Sequence, residues 1–579
     1  MNTWSTDKSK PTFGETKFFM NIKSLLTKAL VLSVLFAFAI APGFAQTKPI
    51  KYIGNADTLI NSNKTWDCDT IYFLKGKVYV TGGAELTIQP GTVIVGDTLN
   101  KGSLIITKGS KIHAVGTPSC PIVFTSSKAP GKRARGDWGG VILLGKSTIN
   151  QPGGVANIEG IAPGALSEYG GGTGTSDIHD NSGELNYVRI EFAGVALSLN
   201  NEINGLTFGG VGDGTLVDFV QVSYANDDSF EWFGGTVNCK HLIAFRGIDD
   251  DFDTDNGFSG KIQFGIGLRD PLVADVSGSN GFESDNDASG SLNTPQTRAV
   301  FSNMTICAGS DSATNNLFRR SVHIRRNSHM FLYNSIVMGY PTGILIDGTT
   351  TEASVKADTI VEHNIVGCKY APKYVTATTG ADSAAVVNLL LTGADNRFYA
   401  DNTGIRLTSP FNLNNPNLRP ATGSPALSGA SFNETALNNA FFTPTTYVGA
   451  LAKSSAQNWA QLWVNWKPTS TVYNGLCICS TTAAAAVAEE EDAIVASNGE
   501  VSIYPNPARG TFNVNVGGYT GNVTIKVSNM NGSVVYNKQT SVTAKSVVNV
   551  TLKNATAGLY FVTVTNGVQS TTKKINILQ

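Results

Sequence analysis

Charge is scarce in this chain: only 15% of its 579 residues are Asp, Glu, Lys or Arg, and 43 basic residues nearly cancel 44 acidic ones. A protein that grips nucleic acid needs a basic face; none is on offer, so no nucleic-acid partner is expected. Histidine is equally sparse. His113, His179, His241, His323, His329 and His363 are scattered without zinc spacing, and core or surface roles are expected of them. No Ser-His-Asp order and no phosphate-binding glycine loop occurs. Seven cysteines, Cys68, Cys120, Cys239, Cys307, Cys368, Cys477 and Cys479, leave at least one unpaired, and their spacing does not fix the pairs. Cys477-Ile478-Cys479 has no companion His or Cys cluster for a soft metal, so a disulfide is the expected use. Strong helix-forming stretches are few, and no apolar run reaches the length of a membrane span.

What the chain does have is glycine, 61 copies, with abundant Val, Ile, Thr, Phe and Asn. That composition argues for an all-β protein, long enough for two or three domains and a large core. Near the start, Met20-Asn21-Ile22-Lys23 through Lys28 is basic, residues 29–40 are apolar, and Pro42-Gly43-Phe44-Ala45-Gln46 supplies small residues for cleavage. This is the layout of a secretory signal peptide at 20–45, cleaved after Ala45. Residues 1–19 have no comparable logic and read as an extension ahead of the true start at Met20. The mature chain is expected to have no transmembrane span.

The last eighty residues carry three blocks in order. Tyr504-Pro505-Asn506-Pro507 opens, Asn529-Met530-Asn531-Gly532-Ser533-Val534-Val535-Tyr536 sits in the middle, and Gly558-Leu559-Tyr560-Phe561-Val562-Thr563-Val564 leads to Lys573-Lys574-Ile575-Asn576-Ile577. Physically these are short alternating strands separated by Asn-Gly turns, which suits a small Ig-like β-sandwich. The blocks closely resemble the type A C-terminal sorting domain of type IX secretion cargo. The resemblance implies that residues 500–579 are read by that secretion translocon and its sorting machinery. With the signal peptide, it implies export to the outer surface of a Gram-negative bacterium or beyond it. Between body and tail, residues 481–499 run through Ala483–Ala486 into Glu489-Glu490-Glu491-Asp492 without apolar periodicity, as a solvated tether does.

The long middle, 46–480, repeats itself. Leu86-x-Ile88-x-x-Gly91-x-x-Ile94 matches Leu104-x-Ile106-x-x-Gly109-x-x-Ile112 at an offset of 18 residues, Leu86 to Leu104. A unit this small cannot bury its apolar face alone and must stack on a neighbour, so the match favours a solenoid over a sandwich array. The order "apolar ladder, Pro121-Ile122-Val123-Phe124-Thr125-Ser126, Gly136-Asp137-Trp138-Gly139-Gly140-Val141" resembles the first coils of right-handed parallel β-helix proteins of bacterial surfaces, a pectin-lyase-like fold. Asn417-Leu418-Arg419-Pro420-Ala421-Thr422-Gly423-Ser424-Pro425-Ala426 resembles the segment that closes such helices. The expected fold is therefore all-β: a right-handed parallel β-helix followed by the small sandwich.

Chemistry concentrates in one acidic stretch. Phe230-Glu231, Phe252-Asp253 and Phe282-Glu283 repeat an aromatic followed by an acid, at offsets of 22 and 30 residues, plausible for successive coils of unequal loop length. Side chains alternate across a strand, so an inward Phe sends its neighbouring acid outward. Coils stack ~4.8 Å apart, and acids at matching positions would form a column of like charge that calls for a cation. Calcium, which takes 6–8 oxygen ligands, is the expected partner, with Asp250, Asp251, Asp253, Asp255, Glu283 and Asp285 as candidate ligands. The bland alternative is acids that merely cap backbone amides in turns. The stretch Asn226–Asp287 also resembles a recurring block of exported β-helix proteins, a resemblance that carries fold rather than activity. Tyr169, Trp232 and Phe233 are candidate sugar-stacking aromatics, or core. No residue set matches a catalytic motif. Binding of an extended ligand, such as glycan or another cell surface, is the expected role. The alternative is a polysaccharide lyase or glycoside hydrolase on the acidic face, with Asp227, Asp228, Asp250 and Asp251 as carboxylates or His323, Arg325, Arg326 and Lys261 as base.

Overall fold

The computed structural model describes residues 48–477 and 501–577, apart from 199–200, 309–314, 359, 369–372, 379, 474–476, 505–507, 509, 517–518, 520, 530–532, 544–545, 553–554, 557 and 567–569. The leading extension, the signal peptide and the Ala/Glu tether lie outside the described residues. The chain divides into two compact units, one ending at Thr481 and the other running from Thr482.

The first unit is the right-handed parallel β-helix. Its two long sheets are built of strands that pair parallel, each with the strand one coil away, and three short two-stranded antiparallel sheets stand beside them among the described residues. The smaller long sheet stacks Val141–Leu144, Leu206–Val211, Phe230–Gly235, Phe252–Asp255, Phe282–Ser284, Arg320–Ile324 and Thr342–Ile346 in that order. The register is strict: Leu206, Phe230, Phe252, Phe282, Val322 and Ile344 are successive partners. All six are fully buried, so this column is the inner wall. The offsets of 22 and 30 residues between the aromatic–acid pairs are therefore single coils, with the extra length placed in loops.

The 18-residue match is a different feature. Leu86 pairs with Ile112 in the larger sheet, whereas Leu104 pairs with Val78 and Val141 in the smaller one. The two copies are consecutive corners of one winding, not consecutive coils. Each needs the same short strand, a left-handed Gly (Gly91 and Gly109, both φ 79°) and another short strand. At Gly91 a β-carbon would also stand 2.6 Å from Cys477 Cβ, so glycine is required twice over there.

In the larger sheet, Gly183–Glu191, Leu216–Ser223, Asn238–Phe245, Lys261–Leu268 and Val300–Cys307 run through a bend at a left-handed residue. Tyr187, Phe219, His241, Phe264, Asn303, Asn334 and His363 occupy this corner on successive coils, with φ between 51° and 65°. The first four rings stack at 4.4, 4.3 and 5.2 Å.

Past Ile405 the chain closes the end of the helix and then returns along it. Asn417–Pro420 pairs antiparallel with Leu407–Ser409, and Ser424 donates to the Ile405 carbonyl. The returning segment then bonds to Asn334 at Ser431, Gln263 at Thr443, Gln221 at Asn465 and Glu191 at Tyr473. Trp463 meets the rings of Tyr187 and Phe219 edge-on. A disulfide from Cys477 to Cys120 ends the run. Cys68 is also disulfide-bonded, while Cys239, Cys307 and Cys368 are buried thiols.

The second unit consists of two antiparallel sheets. Ser502–Tyr504, Thr511–Asn515 and Val547–Thr551 form one; Val534–Val542, Gly521–Asn529, Gly558–Thr565 and Ser570–Ile577 form the other. Alternate residues such as Val523, Ile525 and Val527 are fully buried in a core shared with Phe512, Val514, Val562 and Val564. That alternation is what separates an inner from an outer sheet face.

Candidate functional site

Three columns of polar side chains run down the outer face of the smaller long sheet. The middle column is Thr207, Glu231, Asp253, Glu283 and His323, partners in successive coils and each one residue beyond an inward ring or branched residue. Behind the acids the inward rings stack: Phe230 on Phe252 and Phe252 on Phe282, both at 5.5 Å between centroids. The rings fix the coil register, and the register lines up the acids.

The second column lies just before the strands. Asp228 Oδ1 accepts the Asp250 N–H at 2.7 Å, and Asp250 Oδ1 accepts the Asn280 N–H of the next coil. These carboxylates have a scaffolding role, since each satisfies a backbone donor of its neighbour. They are also brought against the middle column. Asp250, Asp253 and Glu283 each offer an oxygen within 4.8 Å of the others, as do Asp228, Glu231 and Asp253, and as do Asp227, Asp228 and Asp249. Asp228 and Asp253 are shared between sets, so the three groups form one continuous cluster.

Burial makes the cluster costly. Asp228, Glu231 and Asp250 are at most 7% exposed. Burial first, and then neighbouring acids, push the carboxyls of Asp228, Glu231, Asp249 and Asp253 well above the usual range. Asp250 is pushed up to about 7 by burial and by Glu283, against hydrogen bonds from Asn280. Asp253 Oδ1 and Asn280 Oδ1 are buried without a hydrogen-bond partner. An oxygen hidden from water with no donor carries its full desolvation penalty. A calcium ion among Asp250, Asp253 and Glu283 would remove that penalty and the repulsion together, so the residues fit the ion. Asn280, whose Nδ2 is placed 3.1 Å from Glu283 Oε2, would offer its carbonyl oxygen after an amide flip.

One coil on, the acids have cations of their own. Burial alone would raise Glu283, but the His323 hydrogen bond and the charges of Arg325, His323 and Arg326 bring it below its ordinary value. His323 is held on both ring nitrogens, by Glu283 at 3.2 Å and Asp347 at 3.1 Å. Asp285 takes two hydrogen bonds from Arg325, at 2.7 and 3.0 Å, and one from Arg326 at 2.7 Å.

The six expected ligands are thus placed differently. Asp250, Asp253 and Glu283 come together. Asp255 and Asp285 stand in the third column, Asp255 pushed up to about 7 by burial and then by Asp285, and Asp285 neutralised by arginine. Asp251 leaves the face altogether. It precedes the strand, where alternation does not yet operate, and turns inward to Arg269 at 3.0 Å, both side chains fully buried. Gly267 makes room for it, since a β-carbon there would stand 2.4 Å from Asp251 Oδ2. Asp228 and Glu231, absent from the expected ligand set, belong to the cluster; their signal was the same spacing that sets Phe230 above Phe252. The three candidate sugar-stacking aromatics are core: Trp232 is fully buried, Tyr169 is 2% and Phe233 8% exposed. The loop after Leu144 folds over this end of the sheet, packing Ile149, Ile158 and Tyr169 on Ile105, Ile142 and Phe233.

Fold and site together define a class, a parallel β-helix with a buried acid cluster on one sheet, followed in the chain by a separate antiparallel domain. Residues 58–404 match the pectate-lyase like β-helix domain, and the chain belongs to that family. Residues 502–578 match the secretion system C-terminal sorting domain, which implies recognition by the type IX secretion machinery. The protein is accordingly secreted or displayed at the cell surface. No curated protein matches the sequence.

Proposed function

We propose that this exported protein is a calcium-loaded β-helix that binds an extended ligand, such as a glycan or a polymer of another cell surface, without cleaving it. The observation that carries the reading is the register-matched column Glu231–Asp253–Glu283, with Asp253 Oδ1 buried and unpartnered. A cation among Asp250, Asp253 and Glu283 would tie two adjacent coils together, and a solenoid so stiffened offers a long regular face to a polymer. Three of the four groups that a lyase could use as proton abstractor, His323, Arg325 and Arg326, are already paired with carboxylates. Arg325 is held more firmly protonated by Asp285 and Glu283, and both His323 nitrogens face carboxylates.

The alternative, a lyase or glycoside hydrolase, draws support from Asp250 and Asp255, whose carboxyls at about 7 suit a general acid. One experiment separates the two. The mature protein is incubated with polygalacturonate and with a neutral β-glucan, with calcium or with chelator, and both retention and product release are measured. Calcium-dependent retention without product is the expected result. Unsaturated or reducing-end product that disappears in Asp250→Ala would transfer the assignment to the enzyme, and no retention on any polymer would end the binding reading.

A further inference from the structure

A second cluster lies outside the acid face, at the corner of the larger sheet. On two successive coils this left-handed corner is an asparagine that holds the returning segment. Asn303 Nδ2 donates to Thr445 Oγ1 at 3.0 Å, and Asn334 exchanges two bonds with Ser431, 2.7 and 2.8 Å. On the next coil the corner residue is His363 (φ 59°), and what the returning segment brings is Glu434. His363 Nε2 lies 3.3 Å from Glu434 Oε1, and Glu362 beside it completes a set whose ligand atoms all lie within 4.8 Å of one another.

We propose that Glu362, His363 and Glu434 form a binding site for a divalent transition-metal ion of the zinc class, clamping the returning segment to the coil. An imidazole with two carboxylates suits zinc, whereas calcium takes oxygen alone. Three protein ligands leave a coordination position open, as in zinc sites that accept a further ligand. Asp395 Oδ2 lies 3.9 Å from the other ring nitrogen, Nδ1. Glu434 also lines a cavity of about 410 Å³ with Arg298, Phe331, Tyr333, Asp358 and Thr435. The metal would sit at the edge of a space able to take a small ligand, where Arg298 is already paired with Asp358 at 3.6 Å.

The test uses the full mature chain, stripped with chelator and then saturated with calcium so that the acid face is accounted for separately. Zinc alone is titrated by calorimetry, and cobalt in parallel by visible absorption. One equivalent of zinc is expected, with a cobalt ligand-field band from the mixed nitrogen and oxygen donors. His363→Asn keeps the corner, because asparagine holds the same position on the two coils before it, and Glu434→Gln is isosteric. Each should weaken zinc by about tenfold or more and abolish the cobalt band, while Asp253→Asn should leave zinc binding untouched. No zinc uptake by the parent protein, or uptake undiminished in both ligand variants with unchanged circular dichroism, overturns the site whatever becomes of the calcium reading.

Discussion

Two ladders on this solenoid are made by the same rule and have opposite energetics. At the corner of the larger sheet, Tyr187, Phe219, His241 and Phe264 stack within 11° of parallel. On the smaller sheet, Glu231, Asp253 and Glu283 stack in the same coil-by-coil register. Parallel coils bring like against like. For rings this adds ~0.5–1.5 kcal/mol per pair beyond area burial; for carboxylates it adds repulsion and desolvation. The ring ladder is finished by Trp463 from the returning segment, a further apolar contact. The acid ladder is finished at one end by His323 and Arg325, and at the other, around Asp228, Glu231 and Asp253, by no comparable cation within the described ion pairs. A costly ladder that persists beside a favourable one points to a compensating ligand.

The largest effect should come from breaking the rings that set the acid register. Phe252 is fully buried between Phe230 and Phe282, with Phe301 against its edge at 6.2 Å. Phe252→Ala should cost about 3–5 kcal/mol, read as a shifted urea midpoint, and should weaken calcium binding as well because Asp253 loses its position. Normal calcium affinity in a destabilised Phe252→Ala protein would show that the acids do not depend on the rings for their alignment.

Chelation comes next. A ligand that binds only the folded state stabilises it by about 2.7 kcal/mol at a hundredfold excess over Kd. Removing calcium should therefore lower the melting temperature of the body, more at low salt where the freed carboxylates are unscreened. Superimposed melting curves with calcium and with chelator at low ionic strength would reduce the acid face to backbone capping, which Asp228 and Asp250 already perform.

Both ladders differ in how far they could be read from the chain. The aromatic–acid pairs were legible because a period-2 strand and a fixed coil stack leave few choices once Phe230, Phe252 and Phe282 are aligned. The 18-residue match was legible as a solenoid signal but not as a corner, since a strand–Gly–strand unit looks the same wherever the winding turns. Asp251 could not be placed, because its direction depends on Arg269 and on the space left by Gly267. Phe233 reads as an exposed candidate only until the loop after Leu144, which carries Tyr169, is folded over it, and Trp232 only until its ring is placed inside the helix among Phe208, Phe230 and Phe252. The returning segment left no signal at all. Its contacts join Tyr473 to Glu191 and Glu434 to His363 across 282 and 71 residues, and no local propensity reports such pairings.

The smallest and most specific effect is on pH. Asp250 and Asp255 have carboxyls raised to about 7 in the fold, against about 4 in an unfolded chain. The metal-free folded body therefore holds protons that the unfolded chain has released, and stability must fall as pH rises from about 4 to about 7, then level off. His323, raised by Asp347 and Glu283 against its burial, acts in the same direction, because its stabilisation is lost as pH climbs through its folded value. Asp347, held at about 2, acts below this window. Calcium needs the carboxylates ionised, so its effect should grow over the range in which the metal-free protein weakens. Asp253→Asn removes one charge from the centre of the cluster. The variant should show a shallower decline from pH 5 to pH 8 without metal, and a blunted response to calcium at pH 8. A metal-free wild-type protein that melts as high at pH 8 as at pH 5 would mean that the stacked acids are screened by water after all. The two ladders would then differ in chemistry but not in cost.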